Sequence, residues 1–236
     1  MEKTVQTYEF KRVLVWELPV RICHWITVLS IIILAITGFI IADPPAILSN
    51  AEASEIYWFG TVRMIHFITA YIFFINLIVR LYWAFNGNYY ANWRSFLPLS
   101  KWARKNILHV LKIDVLLRNE EKEVLKNISI GHNHLASLSY LGLFVLILIQ
   151  IFTGFGLYAA TAGWWLPKLF AWVPDLLGGD APTRFIHHST TWLFILFTLV
   201  HVYLVFYHDW LEGRGETSAM ISGYKFVRKE RFEKDE

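Results

Sequence analysis

Four long apolar stretches, separated by polar segments, dominate the chain. Ile22 to Ala42 carries no Asp, Glu, Lys or Arg and ends at the breaker Asp43-Pro44-Pro45. Met64 to Val79 is apolar between Arg63 and Arg80, and Tyr57–Thr61 with Leu81–Phe85 bring it to spanning length. Leu135 to Ala162 and Phe185 to Tyr207 are two further runs without Asp, Glu, Lys or Arg. A helix needs about 20 mostly apolar residues to cross the hydrocarbon core of a bilayer. The pattern therefore predicts helices over about 20–42, 58–84, 132–160 and 184–208. The fold class expected is an all-α integral membrane protein, a four-transmembrane-helix bundle forming one domain over 1–236. The first run exceeds the roughly 7–15 apolar residues of a secretory signal, so it reads as a retained helix. Trp58, Trp83, Trp164, Trp165, Trp172 and Trp210 stand near the ends of the runs, as in an interfacial aromatic belt.

Composition agrees with this. Of 236 residues, 56% are hydrophobic and 17% charged, against roughly 25% charged in an average soluble domain. The net charge of +3 is modest, and the basic residues avoid the apolar runs. A nucleic-acid binder would instead gather them on one face of a soluble fold, so no nucleic-acid partner is expected. Their distribution also orients the chain. The segment 86–130 holds eight Lys and Arg and the tail 209–236 holds six, whereas the segment between the first two runs holds none before Arg63. By the positive-inside rule, both termini and the 86–130 loop are expected in the cytoplasm, with the other connections across the membrane. The single cysteine, Cys23, excludes an internal disulfide and an all-cysteine metal site. No C-x-x-C-H occurs, which excludes covalent haem attachment.

Ionisable residues within a membrane are costly and point to function. Five of the nine histidines lie inside the runs, and four of them, His24, His66, His187 and His201, stand at depths that suggest a role. His187 and His201 are fourteen positions apart, which on a helix leaves them ~40° apart on one face and about 21 Å apart along the axis. One helix can thus offer a ligand to each of two haems stacked across the bilayer. Depth pairs His66 with His187 at the outer level and His24 with His201 at the inner level. Two neutral imidazoles from facing helices are what six-coordinate haem iron needs. Taken singly, each histidine could as well hydrogen-bond a neighbouring helix; the matched depths and the fourteen-residue period favour ligation of two non-covalent haems b. His188 lies thirteen positions from His201 and points elsewhere, which favours His187.

The fourteen-residue period recurs. Gly38 stands fourteen after His24, Gly142 and Gly156 are fourteen apart, and Arg80 is fourteen after His66. The glycines either clear room for a macrocycle or pack helices closely. Arg80 either pairs with a haem propionate or anchors its helix at the boundary. At the cytoplasmic start of the third run, Gly131-His132-Asn133-His134 offers His132 and Asn133 to a quinone, or caps the helix. The chain carries no HExxH, P-loop or nucleophile triad, and no internal repeat of a transporter with paired broken helices. A histidine-relay transporter or channel is the competing class.

With the histidines placed, the chain resembles the b-type cytochrome subunits of membrane-bound nickel–iron hydrogenases. The resemblance is carried by Glu17-Leu18-Pro19-Val20-Arg21-Ile22-Cys23-His24-Trp25, Arg63-Met64-Ile65-His66-Phe67 and Arg80-Leu81-Tyr82-Trp83-Ala84-Phe85-Asn86-Gly87-Asn88. Gly131-His132-Asn133, Thr153-Gly154-Phe155, His201-Val202-Tyr203 and Gly223-Tyr224 extend it over nearly the whole chain. The R-x-Y-W-A-F-x-G-N run discriminates best, because the histidine frame is shared with formate dehydrogenase gamma subunits and similar dihaem cytochromes. The resemblance implies an electron-transfer subunit in the bacterial cytoplasmic membrane, part of a hydrogen:quinone oxidoreductase complex. Its implied partners are the iron–sulfur small subunit and nickel–iron large subunit of a hydrogenase, membrane lipid and the quinone pool. A formate dehydrogenase or related reductase is the alternative partner.

Overall fold

The structure is a computed structural model that describes residues 9–45, 57–95, 134–212 and 215–228. A strand β1 (Phe10–Leu14) precedes α1 (Leu18–Ala42) and α2 (Trp58–Asn86). After one 3-10 turn at Trp93–Ser95 come α3 (His134–Ala159) and the short helices α4 (Trp165–Lys168) and α5 (Trp172–Leu176). The long α6 (Asp180–Glu212), α7 (Glu216–Ser222) and β2 (Tyr224–Arg228) follow. Helices α1, α2, α3 and α6 are each long and apolar enough to cross a membrane. The helix α1 stops at Asp43-Pro44-Pro45, since proline lacks the N–H that would extend it and restricts the residue before it. The helix α6 starts four residues before the apolar pattern does. Its first turn, Asp180-Ala181-Pro182-Thr183, is polar but suited to a helix start, with an acidic residue and a proline where N–H groups lack partners.

Exposure is inverted relative to a soluble protein. Leu29, Ile36, Ile75, Leu196 and Leu199 are each more than half exposed, while Thr37, Thr69, Asn76, Thr153 and Thr190 are buried. So much exposed apolar surface would drive aggregation in water; in lipid it is the solvated face, and small polar residues mediate contacts between helices.

The chain forms two compact units. The helical unit comprises 22–81 and 142–199. Within it, α1 meets α2 where Asn76 Nδ2 donates to the Cys23 carbonyl and to Thr27 Oγ1, both at 2.9 Å. The α2–α3 contact is aromatic: Phe67 stacks on Tyr158 at 4.2 Å between centroids, and Phe155 packs against Tyr71 and Phe74. Gln150 on α3 donates to the His187 carbonyl and to Thr191 Oγ1 on α6. Phe39 of α1 closes the circuit, edge-on to His188 and Trp192 of α6. The four helices therefore contact one another in the cyclic order α1, α2, α3, α6.

The terminal unit comprises 1–21, 82–141 and 200–236. Its described part joins both ends of the chain. The strands β1 and β2 pair antiparallel, from Phe10 opposite Arg228 to Leu14 opposite Tyr224. The side of this ribbon that carries Val13, Val15, Lys225 and Val227 packs into a small core with Trp16, Val20, Ala91 and Ala219. Gly223 makes the tight turn between α7 and β2 at φ +89°, and a Cβ there would lie 2.6 Å from the Trp16 carbonyl oxygen. The Glu17 carboxylate accepts from Trp83 Nε1 and the Asn88 amide, both at 2.9 Å, and Asn88 Nδ2 donates to the Val15 carbonyl. The helical bundle is as predicted; this ribbon and its small core are an addition that the helix-length pattern does not reveal.

Candidate functional site

In the helical unit, two histidines are held in the same way. His66, on α2, has its Nδ1 2.8 Å from Thr37 Oγ1 of α1. His187, on α6, has its Nδ1 2.8 Å from Thr153 Oγ1 of α3. In each case the threonine hydroxyl donates to the carbonyl four residues back, Thr37 to Ile33 and Thr153 to Ile149, both at 2.6 Å. A hydroxyl has one proton. When that proton goes to the carbonyl, the oxygen accepts from the ring, the arrangement in which Nδ1 of each imidazole carries the hydrogen. The Nε2 atoms then keep their lone pairs.

A glycine follows each threonine, and at Gly154 the missing Cβ lets the ring come close. A Cβ on Gly38 would stand 3.5 Å from His66 Cε1, and one on Gly154 would stand 3.1 Å from His187 Cε1. Gln150 adds a second tie to α6 by bonding the His187 carbonyl and Thr191 Oγ1, and Thr191 itself donates to the His187 carbonyl. His188, next in sequence, presents its ring edge to Phe39, 5.2 Å away, rather than to a threonine.

This donor set suits haem iron. An axial imidazole must be neutral, with Nε2 free and Nδ1–H fixed by an acceptor; His66 and His187 meet both conditions on separate helices. Among the described residues, no three His, Cys, Asp or Glu side chains gather where they could hold a bare ion. The imidazole pair instead suits a metal that brings its own equatorial ligands.

The remaining residues singled out by sequence fall as follows. His24 lies half-buried on α1, its ring edge-on to Trp25 at 5.3 Å, with Asn76 gripping the helix at Cys23 and Thr27 on either side. His201 lies half-buried on α6, in the terminal unit, and Arg80 is half-buried on α2. A Cβ on Gly142 would meet open space. One on Gly156 would meet Val173 and Pro174 at 3.1 Å, so this glycine accommodates α5. Gly131, His132 and Asn133 lie outside the described residues.

The spacing argument missed Thr37, Thr153 and Gly154 as partners of the two imidazoles. Their signal is present in the sequence as a short repeat, Thr37-Gly38-Phe39 and Thr153-Gly154-Phe155. One copy faces each histidine.

Residues 15–223 match the family described as prokaryotic cytochrome b561. The relatives include a protein of Cupriavidus necator named "Probable Ni/Fe-hydrogenase B-type cytochrome subunit", 35% identical over 91% of this chain and 87% of its own length. One of the same name from Azotobacter vinelandii is 34% identical over 93% of this chain and 90% of its own. The "Probable Ni/Fe-hydrogenase 1 B-type cytochrome subunit" of Escherichia coli K12 is 30% identical over 89% of each. With four helices able to span a membrane and a match that runs from β1's end to the turn before β2, this chain belongs to the prokaryotic cytochrome b561 family, together with the Ni/Fe-hydrogenase B-type cytochrome subunits.

Proposed function

We propose that the chain is the membrane electron conduit of a nickel–iron hydrogenase, holding two haems b and delivering electrons to the quinone pool. The observation that carries this reading is the pair of threonine-anchored imidazoles, His66 and His187, each with Nε2 left to ligate. The names of the relatives, shared over about nine-tenths of this chain, supply the hydrogenase partner. Bound haem b carries one electron at a time by cycling its iron between ferric and ferrous states.

In this reading His66 and His187 ligate the outer haem, and His24 and His201 the inner one. On an α-helix the fourteen-residue spacing of His187 and His201 corresponds to haem levels about 21 Å apart. Buried Phe194 lies midway between them along that helix. Gly38 and Gly142 leave room beside the macrocycles, whereas the space at Gly156 is taken by α5; Arg80 balances a propionate. The outer haem receives electrons from the iron–sulfur small subunit, which is itself joined to the nickel–iron large subunit. The inner haem reduces quinone, with His132 and Asn133 binding the quinone carbonyl or relaying its protons. The loop-charge asymmetry supports cytoplasmic termini in the bacterial inner membrane.

A reduced-minus-oxidised spectrum of the purified chain tests the reading, with two haems expected per polypeptide. His66→Ala and His187→Ala should each remove one and the same haem, and His24→Ala and His201→Ala the other. A preparation that stays colourless with ample haem supply, or one that keeps its pigment when both His187 and His201 are replaced, overturns it. Mass identification of co-purifying subunits separates a hydrogenase from a formate dehydrogenase partner.

A further inference from the structure

We propose that Thr37 and Thr153 are positioning residues that fix the tautomers of His66 and His187 and thereby set the reduction potential of one haem, the outer one. The inference rests on the reading above, in which both histidines ligate the same iron.

The two contacts share one geometry. Each Nδ1–Oγ1 distance is 2.8 Å, and each threonine passes its own proton to the carbonyl four residues back at 2.6 Å. Donating its proton polarises the hydroxyl oxygen and makes it a better acceptor, since hydrogen bonds in a chain strengthen one another. The imidazole N–H is thus drawn toward the threonine, and electron density shifts toward Nε2. That density favours ferric over ferrous iron. The acceptor is nevertheless a neutral hydroxyl, so the effect is weaker than a carboxylate in the same place would produce. Without the threonines, either ring could place its hydrogen on Nε2, the tautomer that cannot ligate.

Among the described residues, geometry ties the two threonines to these rings and to no other histidine. Thr37 and Thr153 sit on α1 and α3, the helices that flank α2 and α6 in the ring of contacts, and each is buried. Gly38 and Gly154 follow them directly, and at Gly154 the missing Cβ also gives the His187 ring its clearance. The same device appears twice, on opposite ligands of one iron, so the two contributions should add.

The test uses the full-length chain with its haems. Thr37→Val, Thr153→Val and the double variant keep the side-chain shape and remove the acceptor; Thr37→Ser and Thr153→Ser restore it. Haem content, the low-spin spectroscopic signature and both midpoint potentials are measured. Each valine variant is expected to raise one midpoint, by up to about tenfold in the ferrous-to-ferric ratio, or ~59 mV for one electron. The double variant should move the same midpoint further, the serine variants should return it, and the second haem should not respond. Loss of one haem in the valine variants, with full retention in the serine variants, also supports the inference. Unmoved midpoints, equal effects of valine and serine, or a shift of both haems overturns it. The ligand assignment fails separately, if His187→Ala retains both haems.

Discussion

The side-chain amide of Asn76 lies 2.9 Å from the backbone carbonyl of Cys23, the residue before His24. The same Nδ2 also reaches Thr27 Oγ1 at 2.9 Å, so one buried amide on α2 grips α1 on both sides of His24. No water competes for these bonds in the hydrocarbon region, yet interhelical hydrogen bonds in membranes average only about 0.6 kcal/mol and reach ~1.7. With two such bonds, Asn76→Leu is expected to cost about 1 kcal/mol in unfolding from mixed micelles. If His24 ligates the inner haem as proposed, the variant should also loosen that haem, seen as a lower haem-to-protein ratio after detergent washing. An unchanged unfolding midpoint would show that the amide is incidental.

The two glycines beside the anchored imidazoles should respond differently to a methyl group. A Cβ on Gly154 would stand 3.1 Å from His187 Cε1, which the ring must yield to; on Gly38 the distance to His66 is an ordinary 3.5 Å. Overpacking of this kind costs on the order of 1–3 kcal/mol. Gly154→Ala is therefore expected to displace His187 from Thr153 and to weaken haem retention. Gly38→Ala should be tolerated, helped by the ~1 kcal/mol that alanine gains over glycine within a helix. Haem stoichiometry and thermal stability of the two variants decide the matter, and equal losses would refute the distinction.

The bundle was legible because lipid imposes a coarse rule: about 20 uncharged residues make a span, and four such runs are plain. The histidine frame was legible for a related reason, since an imidazole stands out where polar groups are costly. The partners of those histidines were not legible in the same way. Thr37 and Thr153 satisfy their own hydroxyls along the helix, as threonines do in any membrane helix, and nothing in a single run marks them as contacts of a ring on another helix. Only the repeated Thr-Gly-Phe hints at it. The terminal ribbon escaped because its two strands are five residues each and lie some two hundred positions apart. The family-like run Arg80 to Asn88 gains a structural explanation. Its Trp83 and Asn88 both bond Glu17, so part of what discriminates the family locks the end of α2 to the N-terminal segment.

Acid should loosen the attachment of α7 to Asp209. Asp209 lies beyond the fourth span. Burial raises its pKa, but hydrogen bonds from the Thr217 hydroxyl and the amides of Glu216, Thr217 and Gly215 outweigh this and hold the carboxyl below its usual value of 3.8. A depressed carboxyl contributes stability that is complete above the unfolded pKa and is lost as pH falls through the folded one. The cap is thus fully present at neutral pH and fades only below about pH 3.8. At pH 7, Asp209→Asn should expose the 209–222 segment to protease, at a cost of about 1 kcal/mol, typical of a lost cap. The difference between wild type and variant should vanish in strong acid. A difference that grows with acid would reverse the sign and defeat the argument.

Lys225 is buried on the inner side of the ribbon, its Nζ 2.5 Å from Glu216 and 5.6 Å above the Trp16 ring. The lysine side chain is 4% exposed and the glutamate 24%, so the two partners are not equivalent. Removing one member of a fully buried pair costs about 3–5 kcal/mol because the other charge is stranded. Here the glutamate's partial exposure screens the loss when lysine is removed, whereas the ammonium has no such relief when glutamate is removed. Glu216→Gln is therefore expected to destabilise the ribbon by roughly 2 kcal/mol, after discounting for exposure. Lys225→Met should cost less, since methionine can fill the same space against Trp16. The double variant should recover most of the glutamine variant's loss, because the stranded charge is gone. Amide exchange at Val13 and Val227, which sit on the paired strands, reads all three. Equal exchange in the two single variants would mean that the pair behaves as a surface contact and that burial of Lys225 contributes nothing to holding the termini together.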